Sequence, residues 1–372
     1  MTFVPGFNLQ EAEPLLTLLT SLEGGLNIQP LPPLTSPPPG WTILFDSQSV
    51  GPFDNRWQLA SNGQGQFAVL IRGTVDETGS IIDDLLSVMI PANSQIGFQV
   101  DGTALTLDYQ LAAASNGKAG VHLGFTLAMF ILMYDPSAGI LWKLLEMVPK
   151  NSDVFIAGHS QGAAIATLSR SYLNYLNLLD LTEMGTYYNY KSYVFAQPKP
   201  GNDLYGIDYD VVASNSGMAF TVNNSQDWVP QVPLTLEIPS DINDPNPLSV
   251  WLGSHPLSAA ALQAYAVEAH ALRTGVAAAQ VAKHTPKMAA LAAIFHDPKF
   301  QQKVLGKPVT QALSLPTLPP ILPTLNFAGC GSIYGLLGVP GANPCTPSDS
   351  FWQHHGVMYS ALLLGQPIPT QC

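Results

Sequence analysis

Apolar and polar positions follow two periods along this chain, and the change from one to the other marks its elements. β-branched and aromatic runs at Trp41–Phe45, Gln66–Ile71 and Leu105–Tyr109 read as strands, with Ser61-Asn62-Gly63 as turn residues between the first two. Leu9–Leu22 has the rhythm of an amphipathic helix. The prolines that follow it, from Pro30 to Pro39, predict an extended arm on the surface. Val121–Phe125 opens a helix, and Ala138–Met147 is another. In the segment after Gly162, residues Ile165, Leu168, Tyr172, Leu176 and Leu179 recur at helical spacing over Ala163–Leu179. Ser192–Ala196 and Met218–Val222 read as two further buried strands. Residues 257–297 are alanine-rich and helical, interrupted at Pro286, and proline-rich Pro308–Pro323 follows. Strands that alternate with helices predict an α/β fold with a mostly parallel sheet covered on both faces.

The densest signal lies at Val154–Ala164. An apolar strand runs into Gly158-His159-Ser160-Gln161-Gly162, and small residues then open a helix. Strand, Gly-x-Ser-x-Gly and helix in that order are the context of a nucleophile elbow. Gly158 and Gly162 leave room for the tight turn. The Gln161 backbone N–H and the helix N-terminus are then expected to face the point where an oxyanion would form. A serine hydroxyl needs a base within hydrogen-bond reach. Of the histidines after Ser160, His270 and His284 fall within alanine-rich helices, whereas His354 and His355 lie in a glycine-containing loop beyond the last predicted strand. For the orienting carboxylate, Asp227 directly follows a strand and precedes the stiff Val229-Pro230 pair. Asp203, Asp208 and Asp210 are alternatives that surface solvation explains better.

Composition narrows the partners. The chain has 372 residues, 47% apolar and 11% charged, with 32 prolines and a net charge of −12, so nucleic acid and anionic membrane surfaces are poor partners. No apolar run reaches 18 residues, Phe125–Tyr134 being too short to span a bilayer, so no transmembrane segment is expected. The first basic residue is Arg56, and Glu11 and Glu13 precede Leu15–Leu22, which is not the pattern of a secretory signal. A mature exported form and a cytoplasmic one both fit. The cysteines, Cys330, Cys345 and Cys372, have no zinc-type spacing, and no metal or cofactor is expected. In an exported protein Cys330 and Cys345 are expected to pair across the Gly331–Pro344 loop, with Cys372 free; otherwise they are ordinary thiols.

The blocks Ile71-Arg72-Gly73-Thr74, Val121–Phe125, Ala157–Gly162, Gln197–Asn202, Val222–Pro233 and His354–Tyr359 together resemble the class 3 lipases, the fungal-lipase-like branch of the α/β-hydrolases. The resemblance implies Ser160 as nucleophile, Asp227 as orienting acid, and Thr74 with the Gln161 N–H as oxyanion hole. It favours His354 over His355, because Gly356 and Tyr359 stand two and five positions after His354. It also implies a mobile helical lid after the oxyanion block, at Thr78–Pro91, where Ile81, Ile82, Leu85, Leu86 and Met89 would share one face. Departures are Gln161 and Ala163, where the family more often has leucine and a second glycine. The expected organisation is a proline-rich arm over 1–40 and a hydrolase domain over 41–372, with a helical insertion at about 240–325. The expected activity is hydrolysis of lipid esters, as by a triacylglycerol lipase, with transient contact at a lipid–water interface. A carboxylesterase on short or aromatic esters is the alternative. The intact Ser, Asp and His set argues against a silent lipid-binding module, and nothing suggests the groove of a peptidase.

Overall fold

The computed structural model describes residues 3–52, 54–73, 87–100, 103–113, 117–176, 184–242, 254–305, 316–322 and 324–372. In chain order, α1 (Leu9–Glu23) precedes β1 (Thr42–Asp46), β2 (Trp57–Ser61) and β3 (Gln66–Ile71). Then come β4 (Met89–Pro91), the paired β5 (Asn93–Val100) and β6 (Thr103–Gln110), and β7 (Gly120–His122). Helices α2 (Leu123–Tyr134) and α3 (Ile140–Met147) lead to β8 (Asp153–His159) and α4 (Gln161–Tyr175). Next are β9 (Asn189–Phe195), β10 (Gly201–Asn202), α5 (Asp203–Tyr209) and β11 (Ala219–Asn224). Helices α6 (Pro256–Lys283) and α7 (Thr285–Phe295), strands β12 (Phe327–Ala328) and β13 (Ser332–Leu336), and α8 (Gly356–Leu363) complete the order.

The central sheet runs β1-β2-β3-β8-β9-β11-β13. Its first two pairings are antiparallel, and those from β3 to β13 are parallel. Parallel strands covered on both faces should be apolar throughout, and β8 is buried at every position. Alternation divides those positions between two cores. Val154 and Ile156 of β8, with Val69 and Ile71 of β3, face the core that holds α2 and α4. Phe155 and Ala157, with Ala68 and Leu70, face the core formed by α1 and α8. The molecule has the α/β-hydrolase architecture, with a mostly parallel sheet between helical layers.

Two helical segments owe their stability to that packing. All of α2 is buried, which explains a sequence apolar on every side; α4 lies on one flank and α7, from the alanine-rich stretch, on another. Leu291 and Phe295 of α7 are fully enclosed, whereas α6 is largely exposed. Helix α1 is capped by Asn8, whose side chain accepts from the Gln10 N–H, and ends at Gly24 in the left-handed conformation. Leu15, Leu16, Leu18, Leu19 and Leu22 are buried against the sheet. At its other end, Glu11 accepts from the Lys191 ammonium at 2.6 Å and from the Tyr193 hydroxyl at 2.7 Å. Among the described residues, no helix is long and apolar enough to cross a membrane.

Three expectations change. The segment from Ser332 to Leu336 is not loop but strand β13, in parallel register with β11. That strand carries the chain away from Cys330, so the disulfide joins Cys345 to Cys372, whose Cα atoms are 5.3 Å apart. Cys330 is a buried thiol. The expected helix over Thr78–Pro91 does not extend through Met89: Met89–Pro91 is strand β4, buried and paired with β7, which claims that end for sheet pairing. Residues 74–86, with the rest of the lid expectation, lie outside the described residues.

Peptide mapping without reduction is therefore expected to recover a Cys345–Cys372 link. Cys330 should react with a thiol reagent only after unfolding. Recovery of a Cys330–Cys345 peptide would refute this pairing.

Candidate active site

Strand β8 ends at His159, and α4 begins at Gln161. Ser160 alone makes the turn, with φ 57° and ψ −134°, a backbone conformation side chains rarely adopt. The surroundings enforce it. The Ser160 N–H extends the strand register by donating to the Phe195 carbonyl at 3.0 Å. A Cβ on Gly158 would collide with the Gly162 carbonyl, and one on Gly162 with the carbonyl of Ile71 on β3. The serine therefore sits at the carboxyl end of β8, with the start of α4 and the positive end of its dipole beside it. Gln161 is buried as the first residue of that helix. Thr74 lies outside the described residues; its neighbour Gly73 packs directly under Ser160.

The carboxylate follows β11, and the imidazole precedes α8. Asp227 follows β11 in a turn closed by its own N–H on the Asn224 carbonyl, and its Oδ1 accepts from the Val229 N–H at 3.0 Å. Its Oδ2 takes His354 Nδ1 and the Tyr359 hydroxyl, each at 2.8 Å. Burial penalises the ionised Asp227, but the attraction and hydrogen bond of His354 outweigh that penalty. With the Val229 and Tyr359 donors they hold the carboxyl below the usual range. An ionised carboxylate only accepts, so Nδ1 carries a proton and Nε2 is left as the basic nitrogen of the neutral ring. The neighbouring His355 pairs instead with Asp349, 3.0 Å from its Nε2. Of the other acids considered, Asp203 is exposed, but Asp208 is buried. It accepts from the Ala113 N–H at 2.8 Å and the Tyr175 hydroxyl at 2.9 Å, a structural role in place of the expected solvation. Asp210 is half-buried and accepts from the Gly331 N–H.

Ser160 and His354 line one cavity of about 240 Å³, whose wall also contains Gly73, His159 and Phe351. Helix α1 and its end add Thr20, Glu23, Gly24 and Gly25 to that wall. Glu23 Oε1 is 2.8 Å from His159 Nδ1, and His159 Nε2 is 2.9 Å from the His354 carbonyl. Sequence reading missed both groups. The motif places His159 next to the nucleophile, but no local signal connects it to a carboxylate 136 residues earlier. Among the described residues, no group of three or more His, Cys, Asp or Glu side chains is placed to hold a metal.

The α/β-hydrolase architecture thus carries a strand–serine–helix elbow that lines one cavity with a carboxylate-bound histidine. Residues 68–237 match the model of the family described as Lipase (class 3). Solved structures resemble it more distantly. The Rhizomucor miehei lipase propeptide complex is 19% identical, with 61% of this chain and 63% of that chain covered and a TM-score of 0.41. This chain thus spans under two thirds of that one. Lipase II from Rhizopus niveus is 19% identical, covering 61% and 75%, at a TM-score of 0.41. The lipase from Rhizopus microsporus var. chinensis is 18% identical, covering 62% and 71%, at 0.40.

The pair at Asp227 has a measurable pH signature. Its folded pKa lies below the ordinary value, so its contribution to stability is complete above the ordinary carboxylate range and is lost as pH falls through the folded pKa. Tyr359→Phe removes a donor to the ionised form, which raises that pKa, so acid unfolding should begin at a higher pH than in the parent. It also leaves the buried Asn224 N–H without the Tyr359 oxygen it now reaches at 3.1 Å, costing about 1–3 kcal/mol at neutral pH. Thermal denaturation across pH checks both effects, and an unmoved acid limb would count against this account of Asp227.

Proposed function

We propose that the protein is a serine ester hydrolase of the triacylglycerol-lipase kind. The observation that carries this reading is the Asp227-bound imidazole of His354, which lines the same cavity as Ser160. Ser160 Oγ attacks the ester carbonyl while His354 Nε2 takes its proton. The tetrahedral intermediate collapses to an acyl-enzyme as His354 returns that proton to the leaving alcohol. Water, activated by the same nitrogen, then releases the acid. Asp227 keeps the imidazole in the right tautomer and stabilises the imidazolium. The Gln161 N–H and Thr74 are the oxyanion donors, each worth roughly 3–4 kcal/mol in comparable sites. The reaction so written uses no cofactor. Its substrates are carboxylic esters of lipids, met at a lipid–water interface.

A fluorophosphonate probe is expected to label Ser160 alone, and Ser160→Ala to abolish hydrolysis in a folded protein. Asp227→Asn should lose about 10⁴ in rate through the wrong histidine tautomer. His354→Ala should lose far more activity than His355→Ala. Labelling at another serine would overturn the reading. Across p-nitrophenyl esters, rates that increase with acyl length and climb past the solubility limit support a lipase. Rates highest on short soluble esters assign a carboxylesterase instead.

A further inference from the structure

We propose that Glu23, supplied by α1 outside the family segment, is a positioning residue of this site, acting through the His159 ring on the backbone carbonyl of His354. The inference rests on the ester-hydrolase reading above. His159 has an acceptor at each ring nitrogen: the Glu23 carboxylate at Nδ1, 2.8 Å away, and the His354 carbonyl at Nε2, 2.9 Å away. A backbone carbonyl cannot donate, so Nε2 carries a proton. With an ionised Glu23, Nδ1 carries one too, and the ring is an imidazolium buried beside the nucleophile. Burial opposes a charge on His159, but Glu23 outweighs it, with help from Asp227 and the His354 carbonyl, and His159 is held protonated above the ordinary histidine range. Burial likewise opposes ionisation of Glu23, which His159 overcomes.

The placement of Glu23 runs against local preference. It is the last residue of α1, where the negative end of the helix dipole disfavours a carboxylate, and the His159 cation offsets that cost. The same oxygen also accepts from the Gly73 N–H at 3.4 Å. One side chain thus joins the end of β3, the residue before Ser160 and the segment that presents His354. The two imidazole centroids are 4.7 Å apart, so movement of His159 is felt at the catalytic ring. The other groups around His159 are Asp227, already bound to His354, and Tyr359, whose ring meets it edge-on at 5.9 Å. Arg72, paired with Asp54, and His355, paired with Asp349, line the same cavity.

As pH rises past the His159 pKa, the ring loses the ability to donate at both nitrogens, and either Glu23 or the His354 carbonyl is released. Turnover of a soluble short-chain ester should therefore decline at alkaline pH. In Glu23→Gln the amide donates to a neutral Nδ1 while Nε2–H still holds His354, so turnover at pH 7 stays within about threefold of the parent and the alkaline decline disappears. In Glu23→Ala the support is gone: kcat falls about 10- to 100-fold with KM changed by about twofold or less. A merely structural Glu23 would leave the pH profile unchanged. Retention of the parent's alkaline limb in Glu23→Gln overturns the proposal, as does parental kcat in Glu23→Ala.

The ionisation is also read without turnover. Long-range ¹H–¹⁵N correlation spectra of the parent should show both His159 nitrogens protonated at pH 7, and only one in Glu23→Gln. A neutral His159 in the parent refutes the proposal even if ester hydrolysis is confirmed. Absence of hydrolysis by the parent, with the doubly protonated ring observed, instead removes the ester-hydrolase reading.

Discussion

The backbone at Ser160 is the constraint on which the site depends. A non-glycine residue at φ 57° costs on the order of 1–3 kcal/mol, and it persists because both sides of the turn are already committed. Strand β8 is fixed between β3 and β9, α4 is buried along its length up to Leu173, and the glycines at 158 and 162 let the three backbones close on each other. Relief of the strain would require breaking sheet register or lifting α4 from the core. The serine is therefore presented by a turn fixed on both sides by buried, paired backbone. A similar geometry recurs at Ala196, φ 53°, at the end of the adjacent strand β9, where its N–H donates to Val222 and holds β11 in line with Asp227.

Around that turn the molecule keeps several charges out of water, and each is matched. Asp227 has three donors, His354, Tyr359 and Val229, so it stays ionised despite burial. Lys191, fully enclosed, is matched by Glu11 and the Val4 carbonyl. Glu23 is matched by His159. Buried pairs of this kind add little net stability, but removing one partner is costly, so they fix geometry more than they strengthen the fold. Two of the three use carboxylates of α1.

The fold and the chemistry were legible in the sequence for different reasons. Strands β3, β8, β9 and β11 announce themselves because parallel strands with two covered faces are rich in apolar and β-branched residues, and α4 because Ile165, Leu168 and Tyr172 recur at helical spacing. The elbow was legible because close backbone approach requires glycine at two fixed positions. Strand β13 was hidden by its setting: two glycines and an edge position leave Ile333 and Tyr334 exposed, which reads as loop. The cysteine pairing failed for the same reason, since without β13 the Cys330–Cys345 interval looks closable. Asp208 looked solvated because its partners, Ala113 and Tyr175, are distant in sequence. Glu23 was least legible of all. A glutamate at the end of an amphipathic helix is ordinary, and only three-dimensional packing brings it to His159.

That last point changes the meaning of the N-terminal helix. Taken alone, Leu9–Leu22 is a leucine-rich surface helix, and the family match begins only at residue 68. Yet α1 covers the sheet face opposite α2 and α4, and α8, which directly follows the histidine loop, packs on it. Gly356, the first residue of α8, meets Thr20 so closely that a Cβ there would clash with the threonine hydroxyl. The loop bearing His354 therefore has α1 as its floor. Burying five leucines, at roughly 1.5–3 kcal/mol each, offsets much of the cost of ordering α1 on the sheet. With the helix so anchored, α1 holds two carboxylates, Glu11 and Glu23, where isolated charges would not stay, each kept there by its own partners.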